Sequence, residues 1–366
     1  MYSARCSRRS IWMEKNNWPA RLLAWFDENR RELPWRESHP RNPYHVWVSE
    51  IMLQQTRTET VREYFRRWME QFPTIKDLAQ APEEKVLRAW QGLGYYSRAR
   101  NLHKAARQVM AEWDGDLPRD RKNLGNLPGI GAYTVGAILS MAFGEKIPAV
   151  DGNLLRVLAR LYGVEEDITG TKGKKTITAL AEEAVPGNRP GDFNEAMMDL
   201  GAEVCIPKHP RCGECPLTDD CQALKENKTE ILPVRKPKTV QKELAAACAL
   251  VFRENRYLLH KRPSKGMLAS MWEFPMVLDP DPDRARAGLE QLLGTAAGQE
   301  LWHHKHVFTH QIWHMTAWKM TEGCCPEESP DWAWFSPEEW DQVPLAGPHA
   351  KLAAWMKKTV DSKGKV

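Results

Sequence analysis

The 366-residue sequence predicts two parts of different class, an all-α domain followed by a small α+β domain. Three observations carry this. Residues 16 to about 225 show helical apolar periodicity interrupted only at proline and glycine, as in FPT, APEE, LPGIG and IPAVDG. Residues 226–243, ENKTEILPVRKPKTVQKE, are polar and basic with two prolines and read as a linker. Residues 244–366 hold short runs rich in aromatic and β-branched residues, the composition of strands. The length suits two cores.

In chain order, residues 1–15 carry Arg5, Arg8, Arg9 and Lys15 with no apolar segment behind them, a basic disordered tail rather than a signal peptide. The all-α domain, 16–225, follows with RLLAWFDENRR, VWVSEIMLQQTRTETVREYFRRWMEQF, EEKVLRAWQGL, YTVGAILSMAF and NLLRVLARLYG as its helices. After the linker, LAAACALVFRENRYLLHKR predicts a hairpin of two apolar runs about a Glu-Asn turn. WEFPMVL, HHKHVFTHQIWHMTAWKM and WAWFS predict further strands, and RARAGLEQLLG and GPHAKLAAWMKKTV predict helices. No stretch approaches the roughly 20 apolar residues of a membrane helix.

Net charge is +4, and it is spread evenly: 34 basic against 32 acidic residues through 230, then 18 against 16, so each part is +2. Neither part is a strongly basic domain. Residues 91–110, however, hold Arg98, Arg100, Lys104 and Arg107 and no acid, which reads either as a patch for phosphates or as a solvated helix face. Cys6, Cys248, Cys324 and Cys325 show no pairing pattern, so cysteine usage points to a reducing compartment.

The other four cysteines, Cys205, Cys212, Cys215 and Cys221, are spaced C-x6-C-x2-C-x5-C. Four thiolates in one compact loop can hold tetrahedral zinc or a 4Fe-4S cluster, and the staggered spacing suits the corners of a cubane better than two zinc knuckles. Lys208, His209 and Arg211 lie inside this loop, where a metal-pinned backbone would present Lys208 and Arg211 to phosphates.

LPGIG runs directly into an apolar helix. Pro128, Gly129 and Gly131 read as a hairpin turn that lets a phosphate backbone approach helix-start N–H groups, or as a plain helix–helix turn. Asp151 in AVDGN stands where a helix begins, so it reads as an N-cap or as a carboxylate facing a developing cation. Glu50 has Val46, Trp47 and Leu53 at helical spacing. Burial among them would raise its pKa and keep it protonated, the state a general acid needs; the other reading is a side chain that reaches out to solvent.

The hairpin, the AVDGN aspartate and the cysteine loop together resemble the endonuclease III superfamily of DNA glycosylases. The resemblance implies a helix-hairpin-helix glycosylase domain with a 4Fe-4S cluster, followed by a Nudix-like domain. Glycosylase/lyases of that superfamily carry a lysine two residues after the second hairpin glycine; here that position is Tyr133, which cannot form an imine. Tyr133, the WVSEIMLQQT helix and the extra C-terminal domain are similar to the MutY-type adenine DNA glycosylases. That resemblance makes Glu50 the acid for adenine N7 and Asp151 the group stabilising the oxocarbenium sugar, with Tyr133 and Asn153 positioning it. It assigns Arg36 and Glu195 to the adenine pocket and Gln55 and Tyr95 to wedging the opened duplex.

In the C-terminal part, GMLASMWEFP resembles a Nudix fold, but Gly288, Gln291 and Leu292 occupy the places of the metal-binding glutamates, which implies no nucleotide hydrolysis. HVFTHQIW resembles the hairpin that reads 8-oxoguanine, with Phe308, Thr309 and His310 in its tip and threonine where serine is usual. The implied partner is double-stranded DNA with adenine opposite 8-oxoguanine or G, bound by a monomer in the cytoplasm. The competing readings are a thymine or oxidised-pyrimidine glycosylase of the same superfamily and a catalytically silent DNA-binding scanner.

Overall fold

The structure is a computed structural model. It describes residues 17–38, 40–235, 241–320, 326 and 329–363. The basic tail, Cys6, Cys324, Cys325 and part of the linker lie outside the described residues.

The chain forms two compact units, Met1–Gln80 with Asn101–Pro237, and Ala81–Arg100 with Lys238–Val366. The sequence divides the chain at 226–243 instead. Residues 81–100 join the second unit through particular bonds: Arg100 Nη1 donates to the carbonyl of Ala269 at 2.6 Å, Lys261 pairs with Glu84 at 3.0 Å, and the hydroxyls of Tyr95 and Thr309 share a hydrogen bond.

The first unit is helical throughout its described residues. Helix Pro43–Leu53 starts on Asn42, whose Oδ1 accepts from the amides of Tyr44 and His45, and buries Tyr44 and every residue from Val46 to Met52. It is buried nearly all round because other helices pack on it, one of them Ala132–Phe143. The expected long helix from Val46 to Phe72 is interrupted. It ends at Leu53, passes through Gln55 at φ 59°, and resumes as Thr58–Gln71, which buries Val61, Phe65 and Trp68 on one face. A second packing centre gathers Trp18, Phe26, Leu158, Ile177, Phe193 and Leu200 from helices Trp18–Asn29, Gly152–Leu161, Thr171–Ala184 and Pro190–Glu203. Cys205, Cys215 and Cys221 pack against it.

The second unit holds two four-stranded sheets. One runs β5 (Met276–Asp279), β1 (Lys242–Leu250), β7 (Gln311–Met320), β6 (Ala297–Val307), with β1 and β7 parallel. The other joins β2 (Phe252–Arg253), β3 (Arg256–Lys261) and β4 (Trp272–Glu273), and β8 (Trp332–Phe335) pairs with β3. The predicted hairpin is therefore only half right. Glu254 and Asn255 both take positive φ, as a type I′ turn requires, but they join β3 to the two-residue β2; β1 belongs to the other sheet. Helix Pro282–Leu293 packs Ala285, Leu289 and Leu293 on Ala247 and Ala249 of β1, and helix Gly347–Lys363 packs Leu352 and Met356 with Leu244 and Cys248.

Candidate active site

A cleft of about 850 Å³ opens in the first unit, lined by Arg36, Glu50, Gln55, Tyr133, Asp151, Asn153 and Glu195 among others. Seven residues singled out from the sequence thus line one cavity, although they span 160 positions.

Glu50 is 4% exposed. Its Oε2 accepts a hydrogen bond from the Tyr133 hydroxyl, which comes from the first turn of the helix after the hairpin. Burial pushes the Glu50 carboxyl up to about 7, reinforced by the charges of Asp151 and Glu195 and opposed by the Tyr133 hydrogen bond and by Arg36. The solvent-seeking reading of Glu50 does not hold.

Asp151 is an N-cap, as one of its readings has it, and it also lines the cleft. It caps helix Gly152–Leu161, with Oδ1 accepting from the Leu154 amide at 2.7 Å, while Oδ2 accepts from Asn153 Nδ2 at 2.9 Å. Burial raises its pKa, but the Leu154 and Asn153 amides and Arg156 favour the carboxylate. Glu50 has one hydroxyl donor, whereas Asp151 has the N–H groups of a helix start.

Close backbone approaches set this geometry. A Cβ on Gly136 would lie 2.3 Å from the Pro148 carbonyl oxygen, and one on Gly201 would lie 2.6 Å from Asn153 Cβ. Asn194, fully buried, accepts from the Ala149 amide at 2.9 Å and donates to Ser140 Oγ and to the Ile147 carbonyl. These contacts fix the turn that delivers Asp151. Asn153 is held in turn by Arg156 Nη2 at 2.9 Å, and Arg156 also donates to the carbonyls of Gly201 and Cys205.

Arg36 and Glu195 meet as an ion pair at 3.0 Å. Arg41 holds the other Glu195 oxygen at 3.1 Å, and the fully buried Asp199 takes Arg36 at 2.7 Å and Arg31 at 2.6 Å. Sequence reasoning missed Asp199, although it lies four residues after Glu195 and so shares its helix face. Asn194 carried no signal of its own.

In the hairpin, Gly129 has φ 80°, and a Cβ there would meet Asn101 Cβ at 2.8 Å. Gly131 caps helix Ala132–Phe143 without a side-chain acceptor, and a Cβ there would meet nothing within 4 Å. Pro128 is half-buried beside them. Lys208 is exposed, whereas Arg211, also exposed, already bonds the Glu203 carbonyl. In the basic run 91–110, Lys104 and Arg107 are exposed, while Arg98 bonds the carbonyls of Leu93 and Gly94, Arg100 that of Ala269, and Arg107 that of Ala79. Each of these guanidiniums bonds at least one backbone carbonyl.

In the second unit, Tyr95 stands 43% exposed at φ 47°. Thr309 and His310 are exposed at the tip between β6 and β7, while the Phe308 ring turns inward, 4.7 Å from Trp313 and 4.4 Å from His306. Leu292 is 44% exposed and Gly288 packs on Val277, so no carboxylate stands at those positions.

The four loop cysteines are free thiols lining one small cavity with Arg160 and Thr218. Arg160 Nη1 lies 3.4 Å from Cys205 Sγ, and Thr218 bonds the carbonyls of Cys212 and Cys215. Burial, with the crowding of the other thiols, pushes the Cys215 thiol up to about 12, so these sulfurs need a cationic centre to ionise. A thiol-ringed space of this kind fits a polynuclear cluster.

Comparison with known proteins agrees. Residues 48–186 match the HhH-GPD superfamily of base excision DNA repair proteins, 205–221 the iron–sulfur binding domain of endonuclease III, and 246–355 the NUDIX domain. The cysteine loop is thus the site of a 4Fe-4S cluster. A solved thermostable thymine-DNA glycosylase superposes with TM-score 0.52 at 29% identity, over 61% of this chain and 99% of its own. The adenine DNA glycosylase of Arabidopsis thaliana is 36% identical over 79% of this chain, which spans 54% of that relative's length. The adenine DNA glycosylase of Buchnera aphidicola subsp. Schizaphis graminum is 36% identical over 69% of this chain and 73% of its own length. Together with the buried Glu50 and the cluster loop, these likenesses establish that the chain belongs to the adenine DNA glycosylase family.

Proposed function

We propose that the chain is a monofunctional DNA glycosylase that removes adenine mispaired with 8-oxoguanine or G in DNA. One observation carries this reading: a buried carboxyl, Glu50, with a pKa near 7, shares a cleft with the helix-capping carboxylate of Asp151. Adenine is a poor leaving group until protonated. Glu50 hands its proton to N7 of a base turned out of the duplex, and Asp151 balances the positive charge that grows on the sugar. Unstacking costs a few kcal/mol, least at a mispair.

The residues around the pair divide the work. Tyr133 holds Glu50 and, lacking an amine, cannot attack the sugar as a Schiff-base nucleophile; water completes the reaction and the strand stays intact. Asn153 aims Asp151. Arg36 and Glu195 bound the space for the base, and Gln55 and Tyr95 fill the gap in the duplex. Phe308, Thr309 and His310 read the opposing 8-oxoguanine, where Thr309 keeps the hydroxyl of the usual serine and adds a methyl. Gly129, Gly131 and Lys208 meet the phosphate backbone. The 4Fe-4S cluster supplies a rigid staple for the loop carrying Lys208 and Arg211, with no redox step required.

Purified protein incubated with duplexes containing A opposite 8-oxoguanine, T opposite G, and thymine glycol tests this directly. Adenine is the expected product. Release of thymine without adenine would place the chain with the thymine glycosylase it resembles in fold, and no release of any base would favour the silent scanner.

A further inference from the structure

The cleft contains two kinds of cation. Arg31 and Arg36 are consumed by carboxylates, paired with Asp199 and Glu195. Lys174 and Arg121 line the same cleft, are exposed, and have no ion-pair or side-chain hydrogen-bond partner among the described residues. They come from separate elements. Lys174 lies on helix Thr171–Ala184, where Thr178 and Glu182, four and eight residues on, also line the cleft; Arg121 opens the short helix that leads into the hairpin.

Electrostatics gives these cations a task. Four carboxylates line the cleft, those of Glu50, Asp151, Glu182 and Glu195. A nucleotide entering it brings a phosphodiester on each side, and the acidic groups that no cation pairs, Asp151 and the Glu182 carboxylate, repel them. The space of about 850 Å³ lies at the upper end of the ~300–1,000 Å³ typical of ligand sites, enough for a whole nucleotide with its phosphates rather than a base alone. Arginines already locked in ion pairs add little toward a new anion, whereas free ones bind phosphate with release of counterions.

The geometry points to Lys174 and Arg121 as the contacts for the phosphodiesters flanking the nucleotide turned into the cleft. This inference rests on the glycosylase reading and adds to it the residues that seat the strand. Lys172, two residues from Lys174, does not line the cleft and pairs with Glu166 at 3.8 Å, so it serves as the internal control.

The test measures binding of the full-length, cluster-containing protein to a duplex bearing an uncleavable 2′-fluoro-adenosine opposite 8-oxoguanine across a range of salt concentrations. Lys174→Ala and Arg121→Ala should each flatten the slope of log K against log salt by about 1, since each phosphate contact contributes about 0.9. Lys174→Arg should restore it, and Lys172→Ala should leave it unchanged. Unchanged slopes in both alanine variants overturn the inference, as does an equal loss in Lys172→Ala, which would mean diffuse surface charge. Adenine release by the wild-type protein from the cleavable duplex is scored separately. Flattened slopes without release would sink the glycosylase reading alone; release with unchanged slopes would sink the phosphate contacts alone.

Discussion

Tyr133 and Glu50 come from helices 80 residues apart in sequence, yet the phenol donates its hydrogen bond directly to the buried carboxyl. That bond favours the ionised form and so works against the burial that keeps Glu50 protonated. A general acid must carry its proton, so the rate of base release falls as pH rises through about 7. Tyr133→Phe removes the opposing bond and should move this basic limb upward by up to about one pH unit. A single-turnover pH profile of the two proteins checks it; coincident limbs would mean that Glu50 is not the titrating acid.

Glu50→Gln should lower the single-turnover rate by about 10²–10⁴-fold while duplex binding persists. Stability should move the other way. The Glu50 pKa is raised from 4.5 to about 7 on folding, so its contribution is fully present below 4.5 and is lost as pH rises through 7, a swing of about 3 kcal/mol. The glutamine variant lacks that loss. Its melting temperature should therefore exceed that of the wild type at pH 8 and approach it at pH 5.

Gly201→Ala puts a methyl 2.6 Å from Asn153 Cβ. Overpacking of this kind costs about 1–3 kcal/mol. Because Asn153 holds Asp151, base release should suffer beyond the stability loss, with single-turnover rates well below wild type at temperatures where circular dichroism shows the protein folded.

Asn194→Ala strips three hydrogen bonds from a fully buried position and leaves the Ala149 amide and the Ile147 carbonyl without that partner. Unsatisfied buried groups cost about 1–3 kcal/mol each. Chemical denaturation should show a loss of that order or more, and Asn194→Asp should recover only part of it, since its carboxylate cannot donate to the Ile147 carbonyl.

Cys215→Ser should abolish the visible absorption of the cluster and destabilise residues 205–221, seen as faster amide exchange there. The loop's remaining fixtures, Arg160 on Cys205 and Thr218 on Cys212, hold backbone carbonyls and one sulfur and cannot replace a four-point anchor.

How much of this was legible beforehand depended on whether the signal was local. The Glu50 environment was readable because Val46, Trp47 and Leu53 lie within one turn, and the cysteine loop because its ligands share 17 residues. Asp199 was one helical turn from Glu195 and could have been found the same way. Asn194, Gly136 and Arg156 could not, because their roles depend on which backbone passes close by, a property of tertiary packing. The run at 91–110 shows the same limit: positive charge in sequence does not reveal that Arg98, Arg100 and Arg107 each bond a backbone carbonyl. Likewise the β1–β2 break at Val251 is invisible in an apolar run that continues through it.

Gly136 sets how tightly the Asp151 turn is held from behind. Since the Pro148 oxygen occupies the volume any side chain would need, even the smallest replacement at this position has to push the stretch of chain before Asp151 outward.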